Sequence, residues 1–152
     1  MLRIEAVEAP DDKGETGETI RSSLLGVWER SVRATHSFLT EDDITAIRPD
    51  VSAGFAMVRL FVAREGETIV GFAGVYEDGL EMLFVDADAR GHGVGRLLLE
   101  HVCALGVKRL DVNEQNPIAL GFYERMGFVV TGRSEKDGQG RAFPLLHMQL
   151  AP

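Results

Sequence analysis

The chain predicts a single α/β (α+β) domain, residues 1–152, built on a mixed, mostly antiparallel sheet of six or seven strands flanked by about four helices. Three observations carry that expectation. Apolar runs at Met57 to Ala63, Thr68 to Tyr76 and Leu80 to Val85 follow one another closely, the first two joined through Glu65-Gly66-Glu67, which is the pattern of an antiparallel meander. An amphipathic helical stretch then separates the Leu80 run from Arg109 to Val112, and strands joined through a helix pair in parallel. Finally, 152 residues with 45% hydrophobic content suffice for one two-layer core and leave nothing for a second domain.

Taken in order, Leu2 to Val7 reads as the first strand, followed by a loop holding Pro10, Gly14 and Gly17. A helix is expected from about Glu18 to His36, with Ile20, Leu24, Val27, Trp28 and Val32 spaced to bury one stripe. Thr40 opens a short second helix, since Thr-Glu-Asp-Asp supplies a capping hydroxyl and an acidic N3 residue. Pro49 and Gly54 mark its exit. After the meander, the next helix carries Val94, Leu97, Leu98, Val102 and Leu105 on one face and stops at Gly106, a C-cap. Asn116-Pro117 starts another helix, because Asn caps free N–H groups and Pro at the first position has no donor to lose. That helix ends near Met126 with Gly127 as its cap. Phe128 to Ser134 and Ala142 to Leu150 form a closing hairpin, whose second strand suits either an internal position or an exposed edge open to homodimer pairing.

The most informative run is Arg90-Gly91-His92-Gly93-Val94-Gly95, set between a strand and a helix. Glycines at alternate positions let the backbone turn sharply, so that several amide N–H groups converge on an anion at the helix start, where the dipole adds to the attraction. That placement implies a phosphate site, the alternative being a purely structural strand-to-helix turn. No GxxxxGK[ST] is present, which removes the lysine and hydroxyl that hold nucleotide triphosphates. A dinucleotide GxGxxG fails as well, since Arg96 stands where the third glycine belongs.

The RxxGxG spacing instead resembles the pyrophosphate-binding signature of the GNAT acyltransferases, whose cosubstrate is acetyl-CoA. A second segment, Asn113 to Phe128, is similar to that family's NxxAxxxY helix and Gly-Phe turn, matching at Asn116, Ala119, Tyr123, Gly127 and Phe128. Both signatures stand in the family's order. Trp28 to Leu39, the Val-Asn-Glu-Gln-Asn run, the Val-Thr-Gly-Arg-Ser run and Pro144-Leu145-Leu146 extend the resemblance to bacterial members over nearly the whole chain.

The resemblance implies the GNAT fold and an acetyl-CoA-dependent N-acetyltransferase that transfers directly to a primary amine of a small molecule, a protein lysine or a protein N-terminus. It places the Phe84 and Val85 backbone beside the pantetheine, and the amides of Gly91, Gly93, Val94, Gly95 and Arg96, with the Arg90 and Arg96 charges, around the pyrophosphate. Asn116 and Asn113 are implied cofactor contacts. Tyr123 is the expected general acid, since a phenol titrating at about 10 is matched to a departing thiolate. Glu81, on the strand leading into the turn, is a candidate base that equally suits an outward-facing strand position. Trp28 and His36 are candidate acceptor-binding residues, and His36 is a second candidate base. The alternative is a catalytically silent CoA-binding sensor or interaction module, which has no need of the Tyr123 proton.

Composition excludes other classes. A net charge of −8 argues against nonspecific nucleic-acid binding and favours a cationic or amine-bearing acceptor. Asp11, Asp12, Glu15, Glu18, Glu41, Asp42 and Asp43 crowd the N-terminal third. Cys103 is a lone cysteine in an apolar helical pattern and reads as a buried, inert thiol. His36, His92, His101 and His147 show no metal-ligand spacing, so no metal is expected. No stretch has the form of a signal peptide or a membrane span, so a cytoplasmic location and no membrane partner are expected.

Overall fold

The computed structural model describes residues 1–7 and 15–152. Pro10, Gly14, Asp11 and Asp12 lie outside the described residues, as do the side chains of Glu15 and Glu18. Among the described residues, seven strands form one sheet: β1 (Leu2–Val7), β2 (Arg59–Glu65), β3 (Thr68–Tyr76), β4 (Gly79–Val85), β5 (Arg109–Asn113), β6 (Phe128–Ser134) and β7 (Leu145–Leu150). Their spatial order is β1-β2-β3-β4-β5-β7-β6, antiparallel throughout except for β4 and β5. Four helices among the described residues flank it: α1 (Glu15–Thr35), α2 (Glu41–Gly54), α3 (Val94–Ala104) and α4 (Pro117–Arg125). Among the described residues, no helix is long and apolar enough to cross a membrane.

The parallel pair positions the site. β4 and β5 are in register only at Gly79 with Arg109 and Leu80 with Leu110. Beyond Leu80 the two strands fork, and among the described residues the β4 edge from Met82 to Val85 has no partner strand on that side. Two cores hold the fork open. Val94, Leu98, Leu99 and Val102 of α3 and Tyr123 of α4 pack with Val75, Leu80, Leu110, Val112 and Met148 on one face. On the other face, Leu24, Val27, Trp28 and Val32 of α1 pack with Leu60, Val62 and Phe72.

Several sequence expectations change. Helix α1 begins at Glu15, so Gly17 is helical rather than in the loop. Helix α2 runs through Pro49 instead of ending there, because Pro49 and Thr45, whose carbonyl loses its helical partner, both face solvent. The Thr40 capping box forms as expected with Asp43. Met57 belongs to a single 3-10 turn, and β2 starts two residues later, at Arg59. The buried face of α3 is Val94, Leu98, Leu99 and Val102, which leaves Leu97 and Leu105 exposed. Strand β7 begins at Leu145 rather than Ala142 and lies between β5 and β6, so it is internal and the sheet edges are β1 and β6.

Candidate active site

The glycine run folds as its composition demands. Gly91 and Gly93 have φ of +83° and +81°, a region that side chains resist, and nothing lies within 4 Å of where a Cβ would sit on either. Gly93 caps α3, and the first helical bond is Leu97 N–H to Gly93 O. The N–H groups of Val94, Gly95 and Arg96 therefore have no intrahelical acceptor and point out of the helix start. Arg90 is exposed beside them. Arg96 is also exposed, but its Nε lies 2.7 Å from Glu100 Oε1.

From this turn a cleft of about 430 Å³ runs along the open edge of β4. Its walls include Leu83, Phe84 and Val85 from β4, the turn from Arg90 to Arg96, Asn116, Ala119, Phe122 and Tyr123 around α4, and Ser31, Thr35 and His36 from the end of α1. Two elements distant in sequence are pinned to make it. Arg30 of α1 donates to Asp86 Oδ2 through Nε at 3.0 Å and Nη2 at 2.8 Å. That guanidinium holds the Asp86 carboxyl below its usual range, against the opposing effect of burial. The pair ties α1 to the connection between β4 and α3.

Tyr123 is almost wholly buried, its ring packed edge-on against Phe122 and Phe128. No described residue hydrogen-bonds its hydroxyl, which borders the cleft. Burial pushes the phenol well up from its ordinary value. It thus stays protonated, and the near-match to a thiol expected from the sequence is replaced by a weaker, persistent donor.

Asn116 caps α4 as expected, its Oδ1 accepting from Ala119 N–H at 3.2 Å. That fixes the amide, so Nδ2 is the group facing His36 Nε2 at 3.5 Å. Nε2 must then be the unprotonated nitrogen, and Nδ1–H donates to Thr35 Oγ1 at 2.7 Å, while the Thr35 hydroxyl donates to Ser31 O at 2.8 Å. Burial lowers the His36 pKa to about 4. A proton on Nε2 would also face a second donor.

The structure does not gather every expected residue. Trp28 is 2% exposed in the core between α1 and the sheet, away from the cleft, and packs rather than binds. Asn113 closes β5, where its carbonyl accepts from Asn116 N–H at 3.0 Å, and it is not part of the cleft wall. Glu81 is exposed on the bulged stretch of β4 and borders a separate depression with Arg109, Asp111 and His147. Cys103 is half-buried against the core with its thiol pushed up by burial, which disfavours the nucleophilic thiolate. Ser31, Thr35, Leu83 and Phe122 carry no sequence signal as wall residues, because only the fork and the Arg30–Asp86 pair bring them together.

A fork between parallel strands, a glycine turn with free helix-start N–H groups at one end and a tyrosine hydroxyl without a described partner along its wall together define the fold and its cleft. The comparisons agree. Residues 57–130 match the acetyltransferase (GNAT) domain model. The chain is 42% identical over 127 residues to the peptidyl-lysine N-acetyltransferase YjaB of Escherichia coli, covering 82% of this chain and 86% of that protein. The solution structure of apo-form YjaB superimposes with a TM-score of 0.85 at 36% identity, over 99% of this chain and 98% of that one. The fold also matches a Thermoplasma acidophilum PaiA N-acetyltransferase in complex with coenzyme A, at TM-score 0.67 and 17% identity over 99% of both chains. The chain belongs to the GNAT acetyltransferase family.

Proposed function

We propose that this protein transfers the acetyl group of acetyl-CoA directly to a primary amine, that of a peptidyl lysine, with Tyr123 donating to the departing sulfur. The observation that carries the reading is the β4–β5 fork, which opens between the free N–H groups of α3 and the unpartnered Tyr123 hydroxyl. The residues fit the cosubstrate: converging amides at Val94, Gly95 and Arg96 with Arg90 suit a pyrophosphate, and the apolar walls Leu83, Val85 and Phe122 suit the pantetheine arm. When bound, acetyl-CoA supplies an activated thioester and a thiolate leaving group.

The open β4 edge around Phe84 and Val85 offers backbone groups to pair with an extended arm and an N–H to stabilise charge developing on the carbonyl oxygen. The Tyr123 proton stabilises the sulfur as the C–S bond breaks, while Phe122 and Ala119 exclude water. A lysine acceptor is supported by the activity in the name of YjaB and by the net charge of −8, which attracts cations.

Calorimetric titration of acetyl-CoA, followed by CoA release with a lysine-containing peptide, tests this. Micromolar binding with turnover is expected. Binding without turnover on lysine peptides, peptide N-termini or small amines would favour the silent CoA-binding module, and absent binding would refute the reading.

A further inference from the structure

Among the described residues Ser31, Asp86 and Asn116 are the buried polar ones, and the structure accounts for two of them. Asp86 accepts from Arg30, and Asn116 accepts from Ala119 N–H. Ser31 is only 6% exposed, yet no described residue hydrogen-bonds its hydroxyl. Every fully buried side-chain nitrogen or oxygen among the described residues has a partner, so the unbonded Ser31 oxygen is one that reaches open space. The space that Ser31 borders is the cleft.

Its position is fixed on both sides. Ser31 interrupts the buried stripe of α1 formed by Leu24, Val27, Trp28 and Val32. The preceding residue, Arg30, ties this turn of the helix to Asp86, and Thr35 donates to the Ser31 carbonyl at 2.8 Å. A helical hydroxyl commonly bonds the carbonyl four residues back, as that of Thr35 does; the Ser31 hydroxyl does not. A buried hydroxyl without a partner costs free energy that an apolar side chain at this point of the stripe would avoid, so its partner is a ligand.

The other polar groups of the wall are committed. Thr35 and His36 hydrogen-bond each other, Asn116 Oδ1 caps α4, and Asn116 Nδ2 faces His36 Nε2. Arg90, Arg96 and Arg125 can only donate, and no carboxylate belongs to the wall. That leaves the hydroxyls of Ser31 and Tyr123, and the fork separates them. Tyr123 packs in the core on the α3 and α4 face of the sheet, whereas Ser31 belongs to the helix packed on the opposite face. With Tyr123 proposed to face the sulfur, the hydroxyl on the other side meets the atom that attacks the carbonyl.

We propose that Ser31 holds the acceptor nitrogen, its oxygen accepting a hydrogen bond from one N–H and aiming the nitrogen lone pair at the thioester carbon, an inference that rests on the acetyl-transfer reading. The acceptor enters as the free amine, its ammonium proton left in water. The lone pair forms the C–N bond, the C–S electron pair goes to sulfur, and sulfur takes the Tyr123 proton. The surplus nitrogen proton leaves to solvent, and solvent returns one to Tyr123. Ser31 itself exchanges no proton. Because positive charge develops on nitrogen as it attacks, the hydrogen bond to Ser31 strengthens in the transition state and acts on kcat.

The test compares wild type, Ser31→Ala and Ser31→Thr in acetylation of a lysine peptide, with the acetyl-CoA Kd and the melting temperature measured for each. Ser31→Ala should lose about tenfold in kcat, the worth of one hydrogen bond, with the acetyl-CoA Kd within about twofold of wild type. Its melting temperature should not fall, since Ala is the better helix former and leaves no hydroxyl to desolvate. Ser31→Thr keeps the oxygen and should recover to within about threefold of wild type in kcat. Unchanged kcat and peptide KM in Ser31→Ala overturn the assignment. So does a loss of acetyl-CoA affinity as large as the loss of turnover, which would give the hydroxyl to the cosubstrate. No wild-type turnover refutes the acetyl-transfer reading itself.

Discussion

The Asn116 side chain serves two masters at once: its oxygen caps α4 through Ala119 N–H, and its nitrogen faces His36 Nε2 from across the cleft. A residue from the α1 terminus is thus joined to the start of the helix that carries Tyr123. The two functions separate by substitution. Asn116→Ala should cost about 1 kcal/mol through the lost cap. Asn116→Asp keeps the cap but presents a carboxylate to Nε2, so NMR titration should show the His36 pKa rising while the melting temperature at pH 7 stays near wild type.

His36 predicts an acid sensitivity of known sign. Its folded pKa, about 4, lies below the unfolded value of 6.5, so its contribution is fully present above pH 6.5 and is lost as pH falls toward 4. Urea melts at pH 7 and 4.5 should show His36→Gln losing about 2 kcal/mol less than wild type over that interval. The paired carboxylates Glu5, Glu41, Asp86 and Glu114 lose stability in the same direction, which the difference between the two proteins cancels.

Gly71 sets how closely α3 approaches the sheet. A Cβ there would meet Val94 Cγ1 at 2.9 Å, the Phe84 carbonyl oxygen at 3.0 Å and Leu98 Cδ1 at 3.2 Å, and the carbonyl cannot yield without moving β4. Gly71→Ala should destabilise by about 1–3 kcal/mol in chemical denaturation and weaken acetyl-CoA binding, because it displaces the α3 start proposed to hold the pyrophosphate.

Gly93 is required by backbone conformation rather than space. Gly93→Ala forces a side chain into φ of +81° and should cost about 1–2 kcal/mol, with roughly tenfold weaker acetyl-CoA binding by calorimetry. Gly95→Ala, whose Cβ would meet Val85 at an ordinary 3.5 Å, should leave stability nearly unchanged.

What the sequence revealed was local. The capping box at Thr40, the Asn116-Pro117 start and the Gly91 and Gly93 turn are each decided within a few residues, and each formed as expected. The orientation of α3 was not, because Leu97-Leu98-Leu99 offers apolar residues on adjacent faces and docking against Gly71 selects among them. Trp28 was misread because an aromatic beside the acceptor segment and an aromatic of the core share one helical spacing. The hydrogen bonds that join His147 Nδ1 to Asp111 at 2.6 Å and His147 Nε2 to the Ser134 hydroxyl at 2.7 Å span three strands and an irregular register, which no spacing along the sequence encodes.

The role proposed for Tyr123 lies in chemistry rather than binding. Its direct measurement is kcat of Tyr123→Phe beside wild type in lysine-peptide acetylation, with the acetyl-CoA Kd determined for both. Tyr123→Phe should lose about 100-fold in kcat with Kd unchanged within about twofold, since Phe keeps the contacts with Phe122 and Phe128 and removes only the proton. An unchanged kcat would contradict it.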